Sequence, residues 1–506
     1  MHASTPLVLP DDIHNRTLVG NVHPVAWRNP EPASRYNLVV IGAGTAGLVS
    51  AVGAASLGAR VAIVERHLMG GDCLNVGCVP SKALIRASRA AADVRNAEVF
   101  GVRIGGPVTV DFAAVMDRMR TLRAAISFND SVARLAGLGI DVFLGQGRFV
   151  STDAVEVDGR RLRFARAVVA TGARAAAPPI PGLADAGYLT NETIFSLTRL
   201  PDRLLVIGAG PIGCELSQAF RRFGSAVTLI SDSSRILPRE DADAASVVQS
   251  AMTRDGVQLV LDAKVIRVEG RGAGGEQRIV VEQQGRERVV TGDSILVAVG
   301  RAPNVEGLGL DIAGVAFDGR GVHVDDRLRT TNRRVLAAGD IASPFKFTHA
   351  ADALARTVLQ NALFFGRKGT RSLVIPWATY TDPEIAHVGI SAADADRRTD
   401  VRTLTVHLGE VDRALLDGTP EGFARVHADQ RGRVLGATLV APHAGEMIGE
   451  MCLAMSASVR LGTVAQTIHP YPTQAEAWKK LGDAWNRGRL TPRVRSVLET
   501  VMRWRR

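Results

Sequence analysis

Two cysteines with four residues between them carry the most pointed chemistry in the chain: Cys73 and Cys78, within Gly70-Gly71-Asp72-Cys73-Leu74-Asn75-Val76-Gly77-Cys78-Val79-Pro80-Ser81-Lys82. That spacing brings two thiols to adjacent turns of a helix start, close enough for a disulfide after modest distortion, and a helix N-terminus lowers a thiol pKa. Two thiols poised for exchange are implied. A half zinc site or two inert core thiols are the competing readings. A zinc site asks for two more Cys or His ligands at short spacing, and no such pair is evident in the neighbouring sequence. The remaining cysteines, Cys214 and Cys452, read as small buried hydrophobes. Four cysteines in 506 residues are too few to staple a secreted scaffold of this size.

A second kind of chemistry sits in the glycines. Gly42-Ala43-Gly44-Thr45-Ala46-Gly47 follows an apolar run and opens a helix-forming stretch, and a further apolar run at 61–64 ends on Glu65. Glycine permits a tight turn and close approach of a pyrophosphate, the helix N-terminus offers free N–H groups, and Glu65 can accept from ribose hydroxyls. The pattern returns as residues 204–207, then Gly208, Gly210, Ile212 and Gly213, a helix-like stretch, and the run 226–230. At the position of Glu65 the second copy has Ser231, which does not repel a 2′-phosphate, and Arg235 stands close in sequence as a cation. NADPH is favoured over NADH, with Asp232 as the residue that would take the ribose in the other case.

These loops require two strand, glycine turn, helix, strand units, hence two nucleotide folds. At 506 residues the chain is too long for one core and fits about three domains. Apolar residues make up 46% and charged residues 22%, which favours neither disorder nor a membrane bundle, and no run reaches the roughly 20 apolar residues of a spanning helix. The N-terminus lacks the basic start and long apolar segment of a secretory signal, so a cytoplasmic protein is expected. The net charge of +10 reads as a basic solvated surface, and no zinc-finger or aromatic RNA-binding signature accompanies it, so nucleic acid is not an expected partner.

The thiol segment, both glycine fingerprints, Ala170-Thr171-Gly172, Gly300-Arg301-Ala302-Pro303-Asn304 and Ala337-Ala338-Gly339-Asp340 together resemble the class I pyridine nucleotide-disulfide oxidoreductases, over roughly Tyr36 to Trp485. The resemblance implies an α/β chain with two Rossmann-like dinucleotide-binding domains, for FAD and NAD(P), and a C-terminal α+β dimerisation domain. Its expected parts are an N-terminal arm without regular structure (1–35), an FAD domain in two pieces (36–185 and 300–372), an NAD(P) domain (186–299), an interface domain (373–485) and a basic tail (486–506). Gly71, Asp72, Gly147, the Ala170-Thr171-Gly172 turn, Gly300, Arg301 and Asp340 would close around the flavin, Asp340 holding its ribityl chain. Lys82 and Glu215 would form the flavin-side ion pair. By the same resemblance Cys78 contacts the flavin, Cys73 exchanges with the acceptor, and electrons run from NAD(P)H through the flavin to the disulfide. A homodimer follows, because the family's site draws on both subunits.

One departure bears on the acceptor. Disulfide reductases of this family carry His-Pro-Thr-x-x-Glu near the C-terminus, whereas Tyr471-Pro472-Thr473-Gln474-Ala475-Glu476 stands here. A tyrosine, with a pKa near 10 against about 6.5 for histidine, is a poor base at neutral pH. Tyrosine at this place is similar to the mercuric reductases, whose ion is held by thiolates and needs no leaving thiol protonated. Hg(II) reduction is therefore expected, with Cys73 and Cys78 as transient ligands and Tyr471 and Glu476 reaching Cys73 of the partner subunit. No N-terminal Cys-x-x-Cys and no paired C-terminal cysteines accompany them. The alternatives are an NAD(P)H-dependent reductase of a small disulfide, quinone or other oxidant, which His469 would serve as base were it not, on the plainer reading, a surface or packing histidine, and a membrane-associated redox-responsive flavoprotein. The latter would use the tail helix, where Val494, Val497, Leu498 and Val501 share a face among arginines. Docking of that helix on its own subunit is the plainer reading. Tyr188 reads either as facing the thiols or as an ordinary half-buried tyrosine.

Overall fold

The apolar run after residue 35 becomes the strand Tyr36–Ile41, buried except at Asn37, because parallel neighbours flank it on both sides and helices cover its faces. The computed structural model describes residues 8–270, 275–364 and 366–506. It divides them into two units: one of residues up to Asp232 together with Ala263–Leu373, the other of Ser233–Asp262 with Val374–Arg506.

In the first unit the order across the main sheet is Asp141–Leu144, Val61–Glu65, Tyr36–Ile41, Arg160–Val169, Ala154–Val157, Arg148–Ser151, and Val335–Ala337 pairs alongside Arg160–Val169. The ladders between Tyr36–Ile41 and its two neighbours are parallel. The helices Thr45–Ser56 and Thr348–Leu363 bury Ala51, Ala54, Leu354 and Val358 against this sheet's core. A second parallel ladder joins Ala226–Ile230, Arg203–Ile207 and Ser294–Val297, and an antiparallel ribbon follows in Ala263–Glu269, Gln277–Gln283 and Arg286–Gly292. These are the Rossmann-like layers expected of an α/β chain.

The arm differs from its reading. Residues 1–7 lie outside the described residues, but 13–22 form the helix Ile13–Val22, capped by the Asp12 carboxylate accepting from Asn15 N–H at 2.8 Å. Leu18 and Val22 are fully buried in the core of the first unit. The spacing 18/22 is a single apolar contact of i, i+4, too short a pattern to stand out in sequence.

The second unit carries an antiparallel sheet in the order Trp377–Thr379, Glu384–Gly389, Val434–Ala441, Phe423–Asp429, Val401–His407. Trp478, Leu481 and Trp485 of the helix Glu476–Arg487 and Ile448 and Met451 of Ala444–Ser456 fill its core. The final helix, Pro492–Trp504, is capped by Thr491 and buries no residue, so docking on its own subunit is not what the tail does in this structure. Among the described residues no helix is long and apolar enough to cross a membrane.

Candidate functional site

The thiols are brought together by a chain reversal at glycine. Cys73 lies in the short helix Gly71–Asn75, and Cys78 is the first residue of Cys78–Arg95, with Gly77 between. A Cβ at position 77 would stand 2.7 Å from the Asp72 carbonyl oxygen and 3.3 Å from Cys73 Cα, so only glycine lets the second helix start this close to the first. The two cysteines therefore meet across two helices rather than on adjacent turns of one, as their spacing had suggested.

Both thiols are free, and they are electrostatically unlike. The Cys78 thiol is lowered to about 6, first by the hydrogen bond from Cys73, then by the Thr348 hydroxyl at 3.4 Å and the Lys82 ammonium, against the cost of enclosure. Cys73 is raised well above its ordinary value, because it donates to Cys78 and is itself enclosed. At neutral pH the pair holds one thiolate and one thiol, an arrangement suited to exchange. Lys82 Nζ is 2.8 Å from Glu215 Oε2, and the Glu215 side chain is buried. The ammonium is thus fixed near the thiolate by a carboxylate from the second nucleotide fold.

Three supports of this turn escaped the sequence reading. Asn75 donates to the carbonyls of Met69 at 3.0 Å and Gly71 at 2.8 Å. Arg123 donates to Asn75 O and to Asn15 Oδ1, both at 2.7 Å. Asn191 donates to Val76 O at 3.2 Å, so the segment after Tyr188 reaches the thiol turn through its asparagine. Arg123 left a trace in sequence: Arg120 and Arg123 sit on the stripe of Met116 and Met119, where a charged group must have a partner.

The residues expected around a flavin gather in the same unit. A Cβ at Gly47 would be 1.8 Å from the Gly42 carbonyl oxygen, so the loop closes tightly on its helix. The Thr45–Ser56 helix starts at Gly44 with no side-chain cap, leaving its first N–H groups to a ligand. Ala46 begins its buried face, and a Cβ at Gly71 would stand 2.7 Å from Gly44 Cα. Glu65 accepts from Ala43 N–H at 2.7 Å and His67 N–H at 2.8 Å, retaining a lone pair on each oxygen. Arg301 forms ion pairs with Asp72 and, at 3.3 Å, with Asp340, and Lys346 donates to Asp340 O at 2.9 Å. Burial raises the Asp340 carboxyl, with Arg301 and Lys346 opposing. Thr171 and Asn304 bond reciprocally, at 2.9 and 2.8 Å, tying the Ala170-Thr171-Gly172 turn to the Gly300 signature. A Cβ at Gly172 or Gly300 would meet nothing within 4 Å; Gly147 instead packs under Val64. An uncapped helix N-terminus, an acid at the strand end and open glycine positions fit a dinucleotide such as FAD.

The second loop repeats the design. A Cβ at Gly213 would be 1.9 Å from Gly208 O, Gly210 starts the helix Pro211–Phe223 without a side-chain cap, and Ile212 is exposed on its first turn. Ser231 is buried at the end of its strand. Arg235 does not offer a free cation: its guanidinium donates to the carbonyls of Glu240 at 2.9 Å and Pro238 at 3.0 Å. A short loop folding back on its own guanidinium is not visible in spacing.

In the second unit Tyr471 is 70% exposed, and its hydroxyl donates to Asp412 at 2.9 Å. Asp412 raises the phenol further, and Arg413 donates to Pro472 O at 3.4 Å. Glu476 starts its helix, 3.8 Å from Lys480. His469 is enclosed, with Nε2 3.1 Å from Glu450 Oε1 and Nδ1 3.1 Å from Thr467 O. Among the described residues no group of three or more His, Cys, Asp or Glu side chains could hold a resident metal.

Comparison with known proteins agrees with this architecture. Residues 36–355 match the pyridine nucleotide-disulphide oxidoreductase family, and 375–481 match that family's dimerisation domain. A mercuric reductase of Bacillus cereus is 36% identical over 454 residues, covering 89% of this chain and 72% of the relative. A dihydrolipoyl dehydrogenase of Chlamydia muridarum is 32% identical over 453 residues, covering 88% and 95%. The Cu(II) complex of the HOCl-induced flavoprotein disulfide reductase RclA from Escherichia coli superposes with a TM-score of 0.78 at 28% identity, over 88% of this chain and 99% of that one. The chain thus belongs to the pyridine nucleotide-disulphide oxidoreductases, FAD-binding and NAD(P)H-dependent flavoprotein enzymes that carry a dimerisation domain.

Proposed function

We propose that this enzyme passes two electrons from NAD(P)H through Cys73 and Cys78 to Hg(II), releasing Hg(0). The observation that carries the reading is the Tyr471 segment: an exposed phenol tied to Asp412, next to a histidine whose two ring nitrogens both face acceptors of its own unit. A disulfide acceptor needs an acid for its leaving thiol; a soft ion held by thiolates needs none. When bound, FAD supplies the two-electron relay between nicotinamide and thiols. Cys78 waits as thiolate, held by Cys73, Thr348 and Lys82. Cys73 ionises as it binds the ion, and both sulfurs are soft ligands for it. NAD(P)H gives up two electrons and ends as NAD(P)⁺ with a proton, and the ion takes both electrons, so the sum balances. Glu215 keeps the Lys82 ammonium in place, and Ser231 is compatible with either nicotinamide, Arg235 being engaged elsewhere. The enzyme acts as a cytoplasmic homodimer in which Tyr471 and Glu476 serve the other subunit's thiols.

The Cu(II) carried by the related RclA structure supports a second thiol-seeking ion as an acceptor to compare. The test is NADPH oxidation by the FAD-loaded enzyme with Hg(II) and excess thiol. Turnover that disappears in Cys73→Ala and falls about tenfold or more in Tyr471→Phe is expected, a factor of ten corresponding to about 1.4 kcal/mol of barrier. No stimulation by Hg(II), with flavin still reduced by NADPH, would remove the metal and direct attention to disulfide and quinone acceptors.

A further inference from the structure

An open pocket of about 400 Å³ runs along the thiol side of the first unit, lined by Cys78, Val79, Lys82 and Arg86 on one helix and by Arg118 and Ile126 on the next. Residues 78/82/86 and 118/122/126 advance by one turn each, so two helical ridges form the walls and the thiolate stands at one end. Lys82 is neutralised by Glu215. Arg86 and Arg118 are different: both are exposed, neither has a hydrogen bond or ion pair among the described residues, and no Asp or Glu lines the pocket. Two unengaged guanidinium groups over apolar walls favour a small anion with an apolar body, because each fork can take a carboxylate in two parallel hydrogen bonds.

We propose that this pocket is an anion-selective entry to the thiols, taking the acceptor as its complex with a small carboxylate-bearing thiol whose carboxylates pair with Arg86 and Arg118. The assignment rests on Cys73 and Cys78 as the acceptor site. It gives the enzyme a way to draw in an ion that free thiols in solution have already bound, since the complex brings the negative charge that the bare ion lacks. Delivery is thiol exchange: a protein thiolate forms its bond to the ion as the carrier leaves as thiolate, with no electron transferred at that step.

The test uses the reduced, FAD-loaded enzyme and a pair of alkylating agents, iodoacetate and iodoacetamide, with modification at Cys78 mapped by mass spectrometry. Each forms a sulfur–carbon bond and releases iodide, and they differ by one carboxylate. The iodoacetate to iodoacetamide rate ratio is expected to fall at least about threefold from wild type to Arg86→Gln/Arg118→Gln, the scale of two exposed charge pairs, and to be restored in part by Arg86→Lys/Arg118→Lys. Flavin content reports that each variant is folded. An equal ratio in wild type and the Gln variant overturns the proposal whatever the metal does. In parallel, Hg(II) is supplied as its mercaptosuccinate or its 2-mercaptoethanol complex. A lower KM for the anionic complex, lost in the Gln variant, supports the entry site. Turnover with both complexes at one KM overturns it while leaving mercury reduction standing, and an alkylation ratio that falls in the Gln variant without any Hg(II) turnover in wild type keeps the anionic entry and removes mercury as the cargo.

Discussion

At Cys78 the side chain is held as a thiolate by a neighbour that stays protonated, and that asymmetry has a titration signature. One thiolate should appear as pH rises through about 6, and the second should stay a thiol well past neutrality, since Cys73 is raised while Cys78 is lowered. Thiolate absorbance of the reduced enzyme checks this directly. Replacing Lys82 by Met should move the first step upward, because the ammonium is one of the groups favouring the charged form; two steps together near the ordinary thiol value would contradict the geometry. Much of this was legible before the fold, because Cys73, Cys78, Lys82 and Glu215 fall in short motifs whose spacing implies their use. Thr348, Asn191 and Asp412 were not, since each reaches its partner over a long stretch of chain: 270 residues separate Thr348 from Cys78, and 59 separate Asp412 from Tyr471. Arg235 misled for the opposite reason, its partners being the carbonyls of its own loop.

The elements that position these groups are set by glycines where no side chain fits. The second dinucleotide loop is the clearest: a methyl group at position 213 would sit 1.9 Å from the Gly208 carbonyl oxygen. Gly213→Ala should therefore weaken nicotinamide binding at least tenfold, about 1.4 kcal/mol, while the bound flavin content stays at the wild-type level. Flavin content and the KM for NADPH, measured on the same preparation, separate the two nucleotide folds; loss of both together would mean that the loop serves the whole unit. The strand, turn and helix order of both folds could be read from hydrophobic period and glycine placement. The helix Ile13–Val22 could not, because its burial depends on Leu18 and Val22 meeting a core assembled from distant strands.

At the scale of the whole molecule, the chain leaves the first unit at Ser233 and returns at Ala263, and the excursion is anchored in the C-terminal unit. Trp377 Nε1 donates to Glu240 at 2.8 Å, and Asp241 accepts from Ala392 N–H at 3.1 Å and pairs with Arg425 at 3.5 Å. Burial pushes Glu240 up to about 7, with Asp241 adding to the rise and Trp377 opposing it. A carboxyl raised in the folded state binds its proton more tightly there than in the unfolded chain, so its ionisation costs stability as pH climbs from its ordinary value to about 7 and remains a fixed cost above that. Glu240→Gln should then raise the stability of the protein by up to about 3 kcal/mol at pH 8 and leave it nearly unchanged at pH 4. Calorimetry at the two pH values decides it, an equal effect at both being the contrary result. The contacts that hold this segment were not legible in sequence, because Trp377, Ala392 and Arg425 lie 137, 151 and 184 residues from the carboxylates they meet.

The most direct discriminator of acceptor is a paired assay on wild type and Tyr471→His: NADPH oxidation driven by thiol-complexed Hg(II), and by a small alkyl disulfide, under identical conditions. Wild type should turn over the ion and be slow with the disulfide, and the histidine variant should gain disulfide reduction by about 10²-fold or more as it acquires an acid for the leaving thiol. Rapid disulfide reduction by wild type with no stimulation by Hg(II), and no gain in Tyr471→His, would contradict a metal-ion reductase built on this pair of thiols.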